Sequence, residues 1–230
     1  MDDKRYLQRL ISEGEHQQQD FKYKVQDAVK LAKSVSAFAN TDGGRLLIGV
    51  RDDGHMSGVR SEEEIYMMHQ AAYRYCRPAP SIKFDTYHVE GRTIVVATIP
   101  PSDKRPVYVV ADDNAIRQSD DIQRASGGDK VGANGRAYIR IADENIVASP
   151  VHLAMWREAQ RPEGAMMAYT DTVRKFLAAM GSDSLTLSQA VRRSGLPRPK
   201  VITLMARLVR FRVARWEYSN QQFLFSLVDG

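Results

Sequence analysis

Apolar residues recur at helical spacing twice near the start of the chain. Over 4–12, Tyr6, Leu7, Leu10 and Ile11 share one face; over 27–39, Ala28, Leu31, Ala32, Val35 and Phe38 do so. Gly14 stops the first helix, and the polar stretch 15–22 reads as extended. The second helix runs into Asn40-Thr41-Asp42-Gly43-Gly44, a turn whose glycines can take positive φ and let another chain approach the backbone. The chain leaves that turn as the apolar run Leu46-Leu47-Ile48-Gly49-Val50, a buried strand that ends in Asp52-Asp53-Gly54.

A helix is expected over 62–75, with Ser61 and Glu64 spaced as a capping box. Pro78 and Pro80 end it. Strands follow over 82–89 and 93–99, joined by Glu90-Gly91, and further strands are expected over 106–110 and 137–141. The polar tract 111–136, with glycines between 127 and 135, is too long for an ordinary connection and reads as a binding loop or insertion. A helix over 151–160 comes next.

Gln160-Arg161-Pro162-Glu163-Gly164 is the best linker in the chain, after which the pattern changes. Helices are expected over 171–180, 186–194 and 199–211, then strands over 213–218 and 222–227. This order is that of a winged helix-turn-helix. Val201, Leu204, Met205 and Leu208 make the inner face of the third helix and leave Arg198, Lys200, Thr203, Arg207 and Arg210 for solvent or DNA. The sequence thus divides into a larger N-terminal α/β (α+β) domain over 1–160, a linker over 161–168 and a small winged helix-turn-helix domain over 169–230.

Charge sharpens the division. Residues 1–150 carry 21 Lys and Arg against 22 Asp and Glu, whereas residues 151–230 carry 12 against 6. The basic surplus belongs to the C-terminal third and points to a polyanionic partner there. At 43% hydrophobic and 27% charged residues, the composition is that of a globular protein. No apolar run approaches the roughly 18 residues a membrane helix needs, and the charged N-terminus lacks a signal-type core, so a cytoplasmic protein is expected. The single Cys76 excludes an internal disulfide and a cysteine-cluster metal site.

Several strings carry a family resemblance. Gly14-Glu15, Asp20-Phe21-Lys22, Ala37-Phe38-Ala39-Asn40-Thr41-Asp42-Gly43-Gly44, Leu47-Ile48-Gly49-Val50, Asp52-Asp53-Gly54 and Gly58 occur in the order seen in the Schlafen AlbA_2 domain. Ile99-Pro100, Pro106-Val107, Tyr138-Ile139-Arg140 and Ala148-Ser149 extend the resemblance to about residue 150. It implies an α/β fold and nucleic-acid binding. Bacterial members are described as DNA-binding transcriptional regulators, in older descriptions as divergent ATPases, and some animal members are endoribonucleases that cut structured RNA such as tRNA. Mapped by motif, the endoribonucleases' three carboxylates fall on Glu15, Asp20 and Asp52. Asp20 stands where those enzymes have Glu, one methylene longer.

Three carboxylates can hold Mg or Mn and activate water on a phosphodiester. Glu15 and Asp20 are an odd number of residues apart, so a straight strand would set them on opposite faces, and they converge only if 17–19 bends. Lys22 and Lys24 alternate with Phe21 and Tyr23 and are candidates for phosphate contact, as are Arg192, Arg193, Arg198, Lys200, Arg207 and Arg210. No G-x-x-x-x-G-K-[ST] sequence occurs, so ATP is not expected as a cofactor. The five histidines form no spaced metal pair. The leading expectation is a DNA-binding transcriptional regulator, as a homodimer on duplex DNA. The rivals are a metal-dependent endoribonuclease acting on structured RNA, and a scaffold that meets nucleic acid only indirectly.

Overall fold

The computed structural model describes residues 3–110, 135–161 and 167–228. The chain forms two compact units, Met1–Val147 and Ala148–Gly230. The polar tract over 111–134 and most of the expected linker lie outside the described residues.

The N-terminal unit is α+β. Its order is α1 (Asp3–Ser12), β1 (Gln19–Lys22), α2 (Ala28–Asn40), β2 (Gly44–Ile48), α3 (Ser61–His69) with a π-helical turn at Gln70–Arg74, β3 (Cys76–Arg77), β4 (Lys83–Val89), β5 (Arg92–Ile99), β6 (Tyr108–Val109), β7 (Arg136–Ile141) and β8 (Glu144–Val147). One sheet runs β1-β2-β5-β4 and the other β3-β6-β7-β8. β1 is parallel to β2, with Asp20 opposite Leu46 and Lys22 opposite Ile48; β2 is antiparallel to β5.

Strand alternation sorts the first sheet into two faces. Phe21, Leu47, Ile94 and Val96 pack with Leu7 and Leu10 of α1, while Leu46, Ile48, Val95, Ala97 and Ile99 pack with α2. α2 is buried at 11 of its 13 positions because it also meets the second sheet, at Val107, Val109 and Tyr138. A helix covered on most sides must satisfy its polar side chains internally. Asn40 does so: its Nδ2 donates to the carbonyls of Val107 and Tyr138, each at 2.9 Å, and its Oδ1 accepts Val107 N–H at 2.7 Å. Ser36 Oγ donates to Val107 O at 2.8 Å and accepts Tyr138 N–H at 3.1 Å. These two side chains fasten the helix to the second sheet.

The Asn-Thr-Asp-Gly-Gly turn admits close neighbours from within the fold. Gly43 has φ +73°, and a Cβ there would meet Ile99 O at 2.8 Å; a Cβ on Gly44 would fall 2.3 Å from the Phe38 ring. The expected capping box at α3 does not form. Arg60 occupies the cap without a side-chain bond, Ser61 is already helical, and Glu64 turns inward so that its Oε2 accepts Val25 N–H at 2.9 Å. Burial raises the Glu64 carboxyl above its ordinary pKa.

The C-terminal unit consists of α4 (Pro150–Ala159), α5 (Asp171–Met180), α6 (Leu187–Ser194), α7 (Arg198–Arg210) and the antiparallel hairpin β9 (Ala214–Ser219) and β10 (Gln222–Leu227). α4, which the sequence reading set ahead of the linker, belongs to this unit. Phe176, Met180, Leu185, Val201, Leu204, Met205, Leu208 and Phe225 make its core, with Val151 of α4 against them. His152 is buried there, 4.6 Å edge-on from the Trp216 ring, and burial pushes its pKa down to about 3. Ser149 Oγ accepts His152 N–H and lies 2.7 Å, within hydrogen-bond distance, from Nδ1.

Candidate functional site

Glu15 and Asp20 come together because the chain between them folds back. His16 and Gln19 exchange both backbone hydrogen bonds, at 3.0 and 3.1 Å, which leaves Gln17 and Gln18 as the tip of a two-residue turn. Glu15 Oε1 accepts Phe21 N–H at 2.8 Å, and its carboxyl is hydrogen-bonded to that of Asp20. Burial first, and then the Asp20 bond, push the Glu15 carboxyl up to about 6, against the opposing pull of Phe21 N–H.

Asp20 is buried and faced by two cations. Its Oδ2 lies 2.7 Å from Lys22 Nζ and its Oδ1 3.7 Å from a guanidinium nitrogen of Arg140. The Lys22 contact is an ion pair by distance without hydrogen-bond alignment, since Oδ2 accepts no hydrogen bond from a described residue. Arg140 is only 1% exposed. It donates to Gln19 O at 3.2 Å and to Asn145 Oδ1 at 3.1 Å, and its guanidinium lies 5.1 Å from the Phe38 ring centre.

Together these groups close the outer side of β1. Phe21 N–H goes to Glu15, Phe21 C=O accepts Lys22 Nζ at 2.9 Å, and Gln19 C=O accepts both His16 N–H and Arg140. An edge strand left open would offer those groups to another chain.

Asp52 stands apart. β1 pairing sets Asp20 opposite Leu46, and Asp52 lies six residues further along, past the end of β1. It occupies an exposed turn closed by Gly54 N–H to Arg51 O at 2.8 Å and Arg51 N–H to His55 O at 3.0 Å. Among the described residues, no three His, Cys, Asp or Glu side chains are grouped closely enough to hold a metal. Two carboxylates converge, one of them already matched by Lys22 and Arg140. As arranged, these residues do not make the Mg or Mn site that the resemblance implies.

Lys22 and Lys24 do not share a strand face. Lys22 sits in β1 and serves Asp20 and Phe21 O, whereas Lys24 lies beyond the strand and is exposed. The Lys24 ammonium is 5.2 Å and the Arg51 guanidinium 4.9 Å from the centre of the Tyr23 ring.

In the C-terminal unit the cations divide in the same way. Arg192, Arg193, Arg198 and Lys200 are exposed around the turn between α6 and α7, with Arg193 held 2.7 Å from Asp183. Arg207 and Arg210 are only partly exposed, where the sequence pattern set them facing solvent. Arg207 Nε donates to Glu158 Oε2 at 3.3 Å, and Arg210 donates to the Glu158 carbonyl and to Arg161 O at 3.4 Å. They clamp the C-terminal end of α4, an element that the helix-turn-helix pattern did not include.

Sequence reasoning gave no role to Arg140, Asn40, Tyr23 or Arg51. Arg140 sits at an inward position of a strand whose neighbours are apolar, a signal that a buried charge awaits a partner. Tyr23 and Arg51 carry no signal in the pattern, because only the parallel pairing of β1 and β2 brings their segments together.

A comparison with protein families matches Schlafen, AlbA_2 to residues 15–149, more than half of the chain. Among solved structures, the chain is similar to the DIP2311 protein from Corynebacterium diphtheriae, with 18% identity and a TM-score of 0.46, over 90% of this chain and 34% of that one. It is also similar to the N-terminal domain of a RecG-related protein from Nitrosomonas europaea, with 21% identity and a TM-score of 0.39, over 74% of this chain and 96% of that one. The chain thus spans about a third of the length of the DIP2311 protein. No curated protein matches it. With its signature strings placed at the α2–β2 turn and along β1 and β7, and the match running from Glu15 to Ser149, the chain belongs to the Schlafen AlbA_2 family.

Proposed function

We propose that this chain binds nucleic acid, and that its C-terminal unit engages duplex DNA as a winged helix-turn-helix in a transcriptional regulator. The observation that carries this reading is the exposed basic run Arg192, Arg193, Arg198 and Lys200 around the α6–α7 turn. α7 starts after Pro197 with no side-chain cap, and Arg198 and Lys200 stand in its first turn. The helix dipole disfavours a cation there by roughly 0.3–1 kcal/mol. In a helix-turn-helix, that end of the second helix lies against base edges. A homodimer would set two such helices on paired half-sites.

The test is duplex binding across a salt series. Arg198→Ala and Lys200→Ala should each weaken binding and reduce the salt slope by about one. Wild-type protein that leaves duplex DNA unshifted at low salt would sink the reading.

The close approach of Glu15 and Asp20 supports a second reading, a Mg- or Mn-dependent endoribonuclease using Glu15, Asp20 and Asp52 on structured RNA. It requires Asp52 and a cation to join a pair of which Asp20 is already matched by Lys22 and Arg140. Metal-dependent tRNA fragments from wild type, absent from Asp20→Asn/Asp52→Asn, would put the nuclease in the regulator's place.

A further inference from the structure

Tyr23 is an exposed aromatic, 42% accessible, at the point where β1 gives way to loop. Two cations from different segments flank its ring, Lys24 at 5.2 Å and Arg51 at 4.9 Å. Among the described residues neither cation has a carboxylate within ion-pair distance. Lys24 also lines an open cavity of about 1000 Å³, together with Arg60, Arg92 and Tyr66. Tyr66 is 61% exposed. The cavity's acidic residues are partly spoken for: Glu64 accepts Val25 N–H, and Glu63 pairs with Arg60 at 3.3 Å. Glu62 remains at the rim.

An accessible ring flanked by two cations, neither held in a close ion pair, suits a ligand with a flat apolar face and an anion a few ångströms away. A nucleotide with its base out of the helix is such a ligand, because every base offers a π-face and every phosphate an oxygen anion. A base stacking on Tyr23 displaces one flanking cation. The displaced head, on a flexible stem, then reaches the nucleotide's own phosphate. Duplex DNA keeps its bases stacked inside and offers nothing for the ring to receive.

We propose that Tyr23 is a stacking platform for an unpaired nucleotide, with Arg51 and Lys24 on its phosphates, and that the strand continues past Lys24 into the cavity lined by Arg92 and Tyr66. The site lies in the N-terminal unit. It rests on the reading above only in taking the ligand to be nucleic acid, and not on duplex recognition by α7.

The test is fluorescence anisotropy of the full chain with labelled oligo-dT, oligo-U and a duplex of equal length. Tyr23→Ala should weaken single-strand binding on the order of tenfold, as loss of one stacked base does. Tyr23→Phe should stay within about twofold of wild type, since the ring is kept. Duplex binding should not change with either variant. Arg198→Ala/Lys200→Ala should show the converse. The ratio of oligo-dT to oligo-U binding identifies the sugar, and tight binding of either supports the site.

The inference fails if wild type binds neither oligonucleotide, if Tyr23→Ala binds as wild type does, or if that variant loses duplex and single strand alike. A second readout uses the unaltered protein: a 5-iodouracil oligonucleotide irradiated on it should crosslink at Tyr23, and crosslinks confined to other segments overturn the proposal. Single-strand binding without duplex binding would sink the regulator and leave this site standing; the reverse would do the opposite.

Discussion

The Asp20 carboxylate lies 3.7 Å from the guanidinium of Arg140, and both side chains are withdrawn from water. A buried charge is tolerated when its partner and hydrogen bonds are in place, and removing one partner strands the other. Arg140→Met should therefore destabilise the N-terminal unit by about 3 kcal/mol in urea unfolding. Adding Asp20→Asn should recover part of that loss. Equal instability of the single and double variants would show that the two charges are not coupled.

Glu15 should titrate late. Its folded pKa is about 6 against an ordinary 4.5, so the folded chain holds this proton more tightly than the unfolded chain does. The stabilising contribution is then complete below pH 4.5 and is lost as pH rises through 6. Glu15→Gln should flatten the difference in stability over that window relative to wild type. A carboxyl resonance of Glu15 with its midpoint at the ordinary value would rule out the Asp20 contact in solution.

Asn40→Ala should be costly out of proportion to its size. It removes the acceptor of the buried Val107 N–H and the donor to the carbonyls of Val107 and Tyr138. Leaving such groups unsatisfied costs roughly 1–3 kcal/mol for each donor or acceptor. A loss near 3 kcal/mol is expected in chemical unfolding, and a loss below 1 kcal/mol would mean that water enters and replaces the side chain.

The two pairs of cations on α7 should separate by assay. Arg207→Gln/Arg210→Gln should lower the stability of the C-terminal unit by about 1–2 kcal/mol through its lost bonds to Glu158 and Arg161, and leave the salt slope of duplex binding unchanged. Arg198→Ala/Lys200→Ala should change the slope of duplex binding instead.

Much of the fold was readable from spacing. α2, β2 and the β4–β5 pair follow apolar periodicity because each buries a regular face. Capping was less readable. Ser61 and Glu64 have the spacing of a capping box, but Val25 N–H, from a segment 39 residues away, takes the glutamate. Conversely, Thr186 and Gln189 do form such a box at α6, and helical spacing passed over it. The bend that joins Glu15 to Asp20 was visible only as a requirement; what makes it, the paired backbone of His16 and Gln19, leaves no mark in side-chain type. Arg207 and Arg210 misled because amphipathicity tells inside from outside, and the outside of α7 is partly covered by α4.

The closed outer side of β1 is assembled from two ages of the chain. Glu15 and Lys22 act on Phe21 from within the same short segment, so their half of the closure needs nothing made later. The other half comes from β7: Arg140 reaches Gln19 O across 121 residues of sequence, and Gln17 reaches Arg140 O at 2.7 Å. During synthesis, β1, α2, β2, β4 and β5 are all available before that half arrives. The nascent sheet therefore passes through a stage with one margin half guarded, and its full shelter from neighbouring chains depends on β7 being made.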